Sequence, residues 1–120
     1  MLMLSLALML AGAAADGEGP SEARSINGDR WVLFRDYPAD ALNERRGGVA
    51  VVRLLVSRQG TVDTCDVAQS SGHADLDAVS CRLMGERGRY EAARDSSGRR
   101  IASQVMRQVV WDPNVVRPRG

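Results

Sequence analysis

The residues most able to do chemistry lie in one stretch, TVDTCDVAQSSGHADLDAVSCRLM, which runs from residue 61 to residue 84. It contains both cysteines of the chain and its one histidine: Cys65, His73 and Cys81. A cysteine–histidine set can bind a metal ion or act in redox chemistry, whereas two cysteines can also form a structural disulfide. Because the spacings match no zinc motif and the chain has no C-x-x-C pair, the metal or redox site is the weaker alternative.

The N-terminal fifteen residues, MLMLSLALMLAGAAA, indicate whether the cysteines form a structural disulfide or a metal or redox site. The run is apolar, ends in small residues and is shorter than the roughly 20 residues that a membrane span needs. It has the pattern of a signal peptide cleaved after Ala15, although no basic residue precedes it. We therefore expect an exported protein. In an oxidising compartment an even number of cysteines predicts a disulfide between Cys65 and Cys81, which would tie a strand to the following helix.

Other candidates for catalysis are weak. Ser70 and Ser71 lack the G-x-S-x-G pattern of an activated nucleophile and fit a turn that begins a helix. Asp75 and Asp77 are two residues apart, so on a helix their carboxylates do not face each other. All sixteen basic residues are arginine, which excludes lysine chemistry, and the net charge of +1 argues against nucleic-acid binding. We expect no catalytic residue, metal or cofactor, hence a binding module rather than an enzyme.

The length of 120 residues is enough for one small domain. After the signal peptide (residues 1–15), residues 16–29 are rich in glycine, serine and acidic residues and predict a flexible leader. The folded domain is predicted over residues 30–113, and it begins with an apolar segment, residues 30–37, that we expect to be extended and packed. Residues 114–120 are predicted to form a tail.

Five longer elements can be predicted within the domain. Pro38 opens a short helix over residues 38–46, PADALNERR. Two β-rich runs on either side of SRQG predict a hairpin with Gly60 in its turn. A helix is predicted from Ala74 to Glu86, and a last strand from Ile101 to Trp111.

The order helix, strand, strand, helix, strand predicts an α+β fold. We expect a small three-stranded antiparallel sheet, because short hairpins connect antiparallel strands, with both helices on one face. On the first strand, one face carries alternating apolar residues that should point to the helices: Ala50, Val52, Leu54 and Val56.

An ordered set of short motifs resembles the C-terminal domain of the TonB energy-transducer family. The motifs are YPADAL, GGVAVVRLLVSRQGTVDTCDV, SSGHADLD and RYEAARDSSGRRI, in that order. The resemblance covers the chain from Tyr37 to Trp111, and the order of the motifs is more specific than any single motif. The resemblance implies a periplasmic domain that remains tethered to the inner membrane if the N-terminal segment is not cleaved.

The resemblance also implies a partner and a mechanism. Domains of this family bind the TonB box, a short segment of TonB-dependent outer-membrane receptors, as an added β-strand, and so contribute to energy-dependent transport. The final strand would offer an unpaired sheet edge for this purpose. The resemblance and this edge suggest a set of partner-binding residues: Tyr37, Pro38, Gln104, Val105, Arg107 and Gln108.

An alternative function uses the same edge differently. The sequence lacks the proline-rich spacer and the long anchor of a full transducer, so contact with the ExbB–ExbD motor is expected only if residues 1–15 serve as an anchor. The alternative is a standalone envelope domain that self-associates as a homodimer or binds another envelope protein.

Overall fold

A computed structural model describes residues 19–115 of the chain. The predicted signal peptide, residues 16–18 of the predicted leader and residues 116–120 of the predicted tail lie outside the described residues. Within residues 19–115, the structure has no helix with the length and apolar character needed to cross a membrane.

The described residues form strands of very different lengths and two α-helices. The strands are β1 (Arg24–Ser25), β2 (Gly48–Val56), β3 (Val62–Gln69), β4 (Tyr90–Glu91), β5 (Ala93–Arg94), β6 (Arg100–Ile101) and β7 (Ser103–Trp111). The helices are α1 (Ala39–Asn43) and α2 (Ala74–Arg87), and two short 3₁₀ turns span Gly28–Arg30 and Phe34–Asp36.

The three long strands form one antiparallel sheet in the order β3-β2-β7. Strand β2 is central, so that Leu54 lies opposite Cys65 on one side and opposite Val105 on the other. Both helices contribute buried side chains to the core under the sheet, Ala41 from α1 and Leu76 from α2 among them. This arrangement confirms the predicted α+β fold.

The core lies between the helices and the alternating face of β2. Four β2 residues are 0% exposed, and they are those that the alternation predicts: Ala50, Val52, Leu54 and Val56. Burying a valine or leucine side chain stabilises a fold by roughly 1.5–3 kcal/mol, so β2 is a main contributor to the hydrophobic core.

The loop before α2 folds around an acidic residue of the first helical turn. Asp77 accepts hydrogen bonds from the backbone N–H of Ser71 at 2.8 Å and from the hydroxyl of Ser70 at 2.5 Å. The two serines therefore form a turn that begins the helix, as the sequence indicates.

The segment from residue 30 to residue 37 is packed as predicted, but the prediction that it is extended is wrong. Trp31 and Tyr37 are buried, while the backbone around them forms the two 3₁₀ turns. A carboxylate oxygen of Asp36 accepts a hydrogen bond from the backbone N–H of Leu33 at 2.7 Å. This local bond satisfies a donor that a strand would have to pair elsewhere, and so it favours the turn.

Helix α1 is shorter than its predicted span of residues 38–46. Arg45 adopts a left-handed backbone conformation with φ of 53°, and the N–H of Arg46 donates to the carbonyl of Ala41 at 2.8 Å. This is the hydrogen bond that closes a helix C-terminus, so the helix ends before the glycine pair that follows.

Residues 21–25 make short strand pairings, whereas the sequence predicts a flexible leader in this part of the chain. Strand β1 pairs with β4, and Ser21 bridges to Arg94.

The predicted strand from Ile101 to Trp111 is divided in the structure. Strand β6 pairs with β5 in a small hairpin of its own, and β7 begins at Ser103.

Candidate functional site

One side of β7 has no strand partner among residues 19–115. Its other side pairs with β2 over all nine residues, from Ser103 opposite Val56 to Trp111 opposite Gly48. An edge strand presents unpaired N–H and C=O groups, which can accept an extended chain as a further strand.

The opposite edge of the sheet, β3, is less suited to strand addition. Its register against β2 shifts twice, between Val51 and Val52 and between Leu55 and Val56. Such irregularities bend an edge and interrupt its hydrogen-bonding pattern. The pairing of β7 with β2 shows no shift, so β7 is the regular edge of this sheet.

Side chains of β7 alternate between the two faces of the sheet. The register places Val105 and Arg107 opposite Leu54 and Val52, on the face toward the helices. Gln104 and Gln108 therefore lie on the outer face, where both are exposed. The predicted contact residues of β7 are thus divided between the two faces.

The guanidinium of Arg107 is engaged within the domain. It lies 4.4 Å from the ring centroid of Trp31, and Nη2 donates to the carbonyl of Gly28 at 3.0 Å. A cation stacked on an aromatic ring stabilises by roughly 0.5–2 kcal/mol. Arg107 therefore holds the first 3₁₀ turn beside β7. Arg107, Val109 and Trp111 are every second residue of the strand and so share a face. The apolar character of Val109 and Trp111 therefore indicates in the sequence that Arg107 faces inward.

Tyr37 lies at the C-terminal end of β7, and it is 8% exposed. Its ring packs edge-on against Trp111, with centroids 5.1 Å apart, and its hydroxyl donates to the carbonyl of Arg46. Burial, together with the nearby carboxylate of Asp112, raises the pKa of Tyr37, so the phenol remains a neutral donor. Pro38 is half-buried and immediately precedes α1.

These positions divide the predicted contact residues along the strand. Tyr37 and Pro38 lie near the Trp111 end of β7, whereas Gln104 lies near the other end. At about 3.3 Å per residue, Gln104 and Trp111 are roughly 23 Å apart. An extended peptide would have to run along most of β7 to contact both ends.

A cavity of about 290 Å³, which we name the apolar recess, lies at the C-terminal end of β7. It is lined by Val32, Leu33, Phe34, Tyr37, Val110, Trp111, Asp112 and Val115. Val110 and Trp111 are neighbours in a strand and point to opposite faces, so a cavity that both of them line lies at the edge or the end of that strand. Because β2 pairs with one side of β7, with Gly48 opposite Trp111, the recess lies at the C-terminal end of β7 and on its unpaired side.

A second cavity, of about 410 Å³, lies at the N-terminal end of the same edge. We name it the polar recess, and it is lined by Ser21, Glu22, Ala23, Ala93, Ser103, Gln104, Val105 and Met106. Four consecutive residues of β7 line it, which again places it at the edge. The buried hydroxyl of Ser103 has no hydrogen-bond partner among residues 19–115.

Sequence reasoning missed both recesses. The apolar run at residues 32–34 was a signal for the first, but which strand it would face depends on long-range packing. For the second, the composition of residues 21–23 suggests a leader, and nothing local indicates that this segment lies beside β7.

An ion pair between Asp36 and Arg87 holds the segment of residues 32–37, which forms one wall of the apolar recess. Arg87 of α2 donates from Nη1 to a carboxylate oxygen of Asp36 at 2.7 Å and to the carbonyl of Trp31 at 2.8 Å. Hydrogen bonding from Arg87 is the main cause that lowers the pKa of Asp36 below its ordinary value of 3.8. The wall is therefore anchored to α2 by an ionised carboxylate.

The cysteines lie away from this edge. Cys65 and Cys81 form the predicted disulfide, with their Cα atoms 5.6 Å apart, and it joins β3 to α2. Across residues 19–115, no group of three or more histidine, cysteine or acidic residues is arranged to hold a metal ion. The disulfide thus stabilises the opposite side of the sheet from β7.

Comparison with known families agrees with this geometry. A family model described as the Gram-negative bacterial TonB protein C-terminal matches residues 35–113, which include both helices and the three long strands. No curated protein matches the chain. The family match covers more than half of the chain and confirms the resemblance carried by the sequence motifs. The chain therefore belongs to the family of C-terminal domains of Gram-negative bacterial TonB proteins.

Proposed function

We propose that this domain binds the TonB box of an outer-membrane receptor as an added β-strand on the edge of β7, and so serves energy-dependent transport. Family membership supports the general role, because these are binding and transducer domains of the cell envelope that interact with outer-membrane receptors. The observation that carries the specific proposal is the edge of β7, which is unpaired among the described residues and regular over nine residues.

The proposed location is the periplasm. Two features support it: the signal-like N-terminal sequence and a disulfide, which persists in oxidising compartments. A tether to the inner membrane results if the N-terminal segment is retained.

An NMR titration tests the proposal directly. The oxidised protein is titrated with a synthetic peptide carrying a receptor TonB box, and backbone amide shifts are followed. We expect the largest shifts along β7, residues 103–111, and smaller shifts near Tyr37. Shifts confined to β3 or to the outer face of the sheet would contradict the proposal.

Proline substitution tests whether main-chain hydrogen bonds drive the binding. Of two neighbouring residues on an edge strand, one directs its N–H toward the sheet and the other directs it outward. We therefore expect one of the variants Gln104→Pro and Val105→Pro to fold normally and to bind the peptide at least about tenfold more weakly. The other loses a bond to β2 and is destabilised.

The control for these variants is Gln104→Ala, which removes the side chain but keeps the backbone N–H. Any loss of affinity in this control reports the side-chain contact alone, and it should be smaller than the loss in the folded proline variant. If the folded proline variant binds as tightly as the unaltered protein, the peptide uses a different surface.

A second candidate function rests on the same edge. Two copies can pair β7 against β7 about a two-fold axis, or the edge can receive a strand from another envelope protein. A folded, oxidised protein whose spectrum is unchanged by the receptor peptide would favour this standalone role.

A further inference from the structure

We propose that the apolar recess is a specificity subsite, which accepts one bulky apolar side chain of the strand added to β7. This inference rests on the proposed function and goes beyond it, because it assigns side-chain selectivity to one position of the bound peptide.

The position of the recess links it to the added strand. A strand paired with β7 lies about 4.8 Å from it, and its side chains alternate between the two faces as those of β7 do. The recess opens on that edge, between Trp111 and the segment of residues 32–34. A peptide residue that pairs near Trp111 therefore has its side chain at the mouth of the recess.

The lining determines which side chain fits. Aliphatic and aromatic groups form most of the surface, and the charged residue of the lining is Asp112. Its negative charge disfavours an acidic peptide side chain. The recess of about 290 Å³ lies just below the roughly 300–1,000 Å³ of small-molecule sites, so it has room for one large side chain. Leucine, isoleucine and phenylalanine are the residues we expect it to prefer.

The recess is preformed. Tyr37 packs against Trp111 and donates its hydroxyl to the carbonyl of Arg46, while Arg87 holds Asp36 and the carbonyl of Trp31. Walls that are already fixed need little ordering when a ligand binds, which favours affinity and selectivity. Two residues of the lining, Val110 and Val115, are 61% and 53% exposed.

The other end of the edge has a different character. The polar recess carries Ser21, Glu22 and Gln104, and the unpartnered hydroxyl of Ser103. A peptide that spans both recesses therefore meets mostly apolar surface at one end and a mixed polar and apolar surface at the other. This asymmetry gives the bound strand a preferred orientation and register.

Substitution along the peptide tests the subsite. Synthetic peptides carry a receptor TonB box in which each position in turn is leucine, alanine or glutamate, and their affinities for the oxidised full chain are measured by calorimetry. We expect one position near an end of the peptide where leucine binds about tenfold more tightly than alanine, and glutamate more weakly than alanine.

Filling the recess should abolish that preference. In Val110→Trp the larger side chain occupies the recess, so leucine and alanine peptides should bind within about twofold of each other, while β7 still receives the strand. Val115→Trp, from the exposed end of the lining, is a second variant with the same expectation. The matched control is Val49→Trp, because Val49 pairs with Val110 on β2 but does not line the recess.

The outcomes separate the inference from the proposed function. Binding that is independent of the side chain at every position overturns the subsite and leaves strand addition intact. A leucine preference that persists in both Val110→Trp and Val115→Trp assigns the selectivity to another surface and also overturns it. If none of the peptides binds to the folded protein, both proposals fail.

Discussion

At the scale of single residues, two arginines from different elements hold the segment of residues 28–37 beside β7. Arg107 stacks on Trp31 and donates to the carbonyl of Gly28. Arg87 donates to Asp36 from the last turn of α2. Each cation is partly buried, and each has a specific partner that offsets its loss of hydration. The shape of the apolar recess thus depends on electrostatic contacts as well as on hydrophobic packing.

The ion pair between Asp36 and Arg87 should make stability depend on acid pH. Its arginine partner is the main reason that the pKa of Asp36 in the folded protein is below 3.8, its ordinary value in the unfolded chain. The ionised form stabilises the fold fully above about pH 5, and this contribution is lost as the pH falls through the folded-state pKa. We expect Asp36→Asn to lower the free energy of unfolding near neutral pH by about 1–3 kcal/mol and to flatten its dependence below about pH 4. Urea denaturation across that pH range measures both effects.

The matched control is an exposed ion pair on the outer face of the sheet. Arg53 and Asp66 are in contact, with side chains that are 38% and 63% exposed. Because solvent screens such a pair, Asp66→Asn should change the free energy of unfolding by less than about 0.5 kcal/mol. An equal loss in the two variants would mean that the Asp36 pair has no special role.

At the scale of elements, the longer ones could be predicted because their signals are local. The alternation in β2 identifies the buried face, and the predicted α2 ends one residue from the observed end, at Glu86 instead of Arg87. Gly60, predicted in the turn between β2 and β3, has a φ of 88°, which favours glycine. Each of these depends on residues close together in the chain.

The elements that could not be predicted depend on distant partners. Strand β1 consists of two residues whose pairing with β4 is set by the packing of the whole domain. For the second 3₁₀ turn, Phe34–Asp36, the side-chain contacts of Asp36 with Leu33 and Arg87 outweigh the extended tendency of the apolar run. The inward direction of the Arg107 side chain could have been predicted, because Trp111 is four residues further along the same strand and therefore lies on the same face of the sheet.

The disulfide links two elements, and its removal should weaken the whole fold. Cys65 of β3 and Cys81 of α2 are 16 residues apart, and closing a loop of that length stabilises by on the order of 3 kcal/mol. We expect Cys65→Ser combined with Cys81→Ser to lower the melting temperature without weakening peptide binding, since β7 lies at the opposite edge. Calorimetry with and without a reducing agent measures this.

The reductant also provides the control. The unaltered protein should lose the same amount of stability on reduction, whereas the double variant should not respond to it. If reduction leaves the melting temperature of the unaltered protein unchanged, the disulfide does not stabilise the fold.

At the scale of the whole molecule, the two edges of the sheet differ in how well each can accept a further strand. The β3 edge has two register shifts and is tied to α2 by the disulfide, which makes it a poor template for another strand. The β7 edge is regular, and recesses lie at both of its ends. The fold therefore concentrates its capacity for strand pairing on one edge.

A single usable edge makes its two proposed uses mutually exclusive. A strand of a receptor peptide and the β7 strand of a second copy would need the same N–H and C=O groups. By mass action, a peptide that occupies the edge removes those groups from self-association. We therefore expect sedimentation velocity with saturating TonB-box peptide to show a complex of one domain and one peptide at every protein concentration. Any dimer seen without peptide should be lost on adding it, and it should also be absent in the folded proline variant of β7. A dimer that persists with peptide bound would show that self-association uses another surface, the outer face of the sheet or the β3 edge, and that the two functions can operate together.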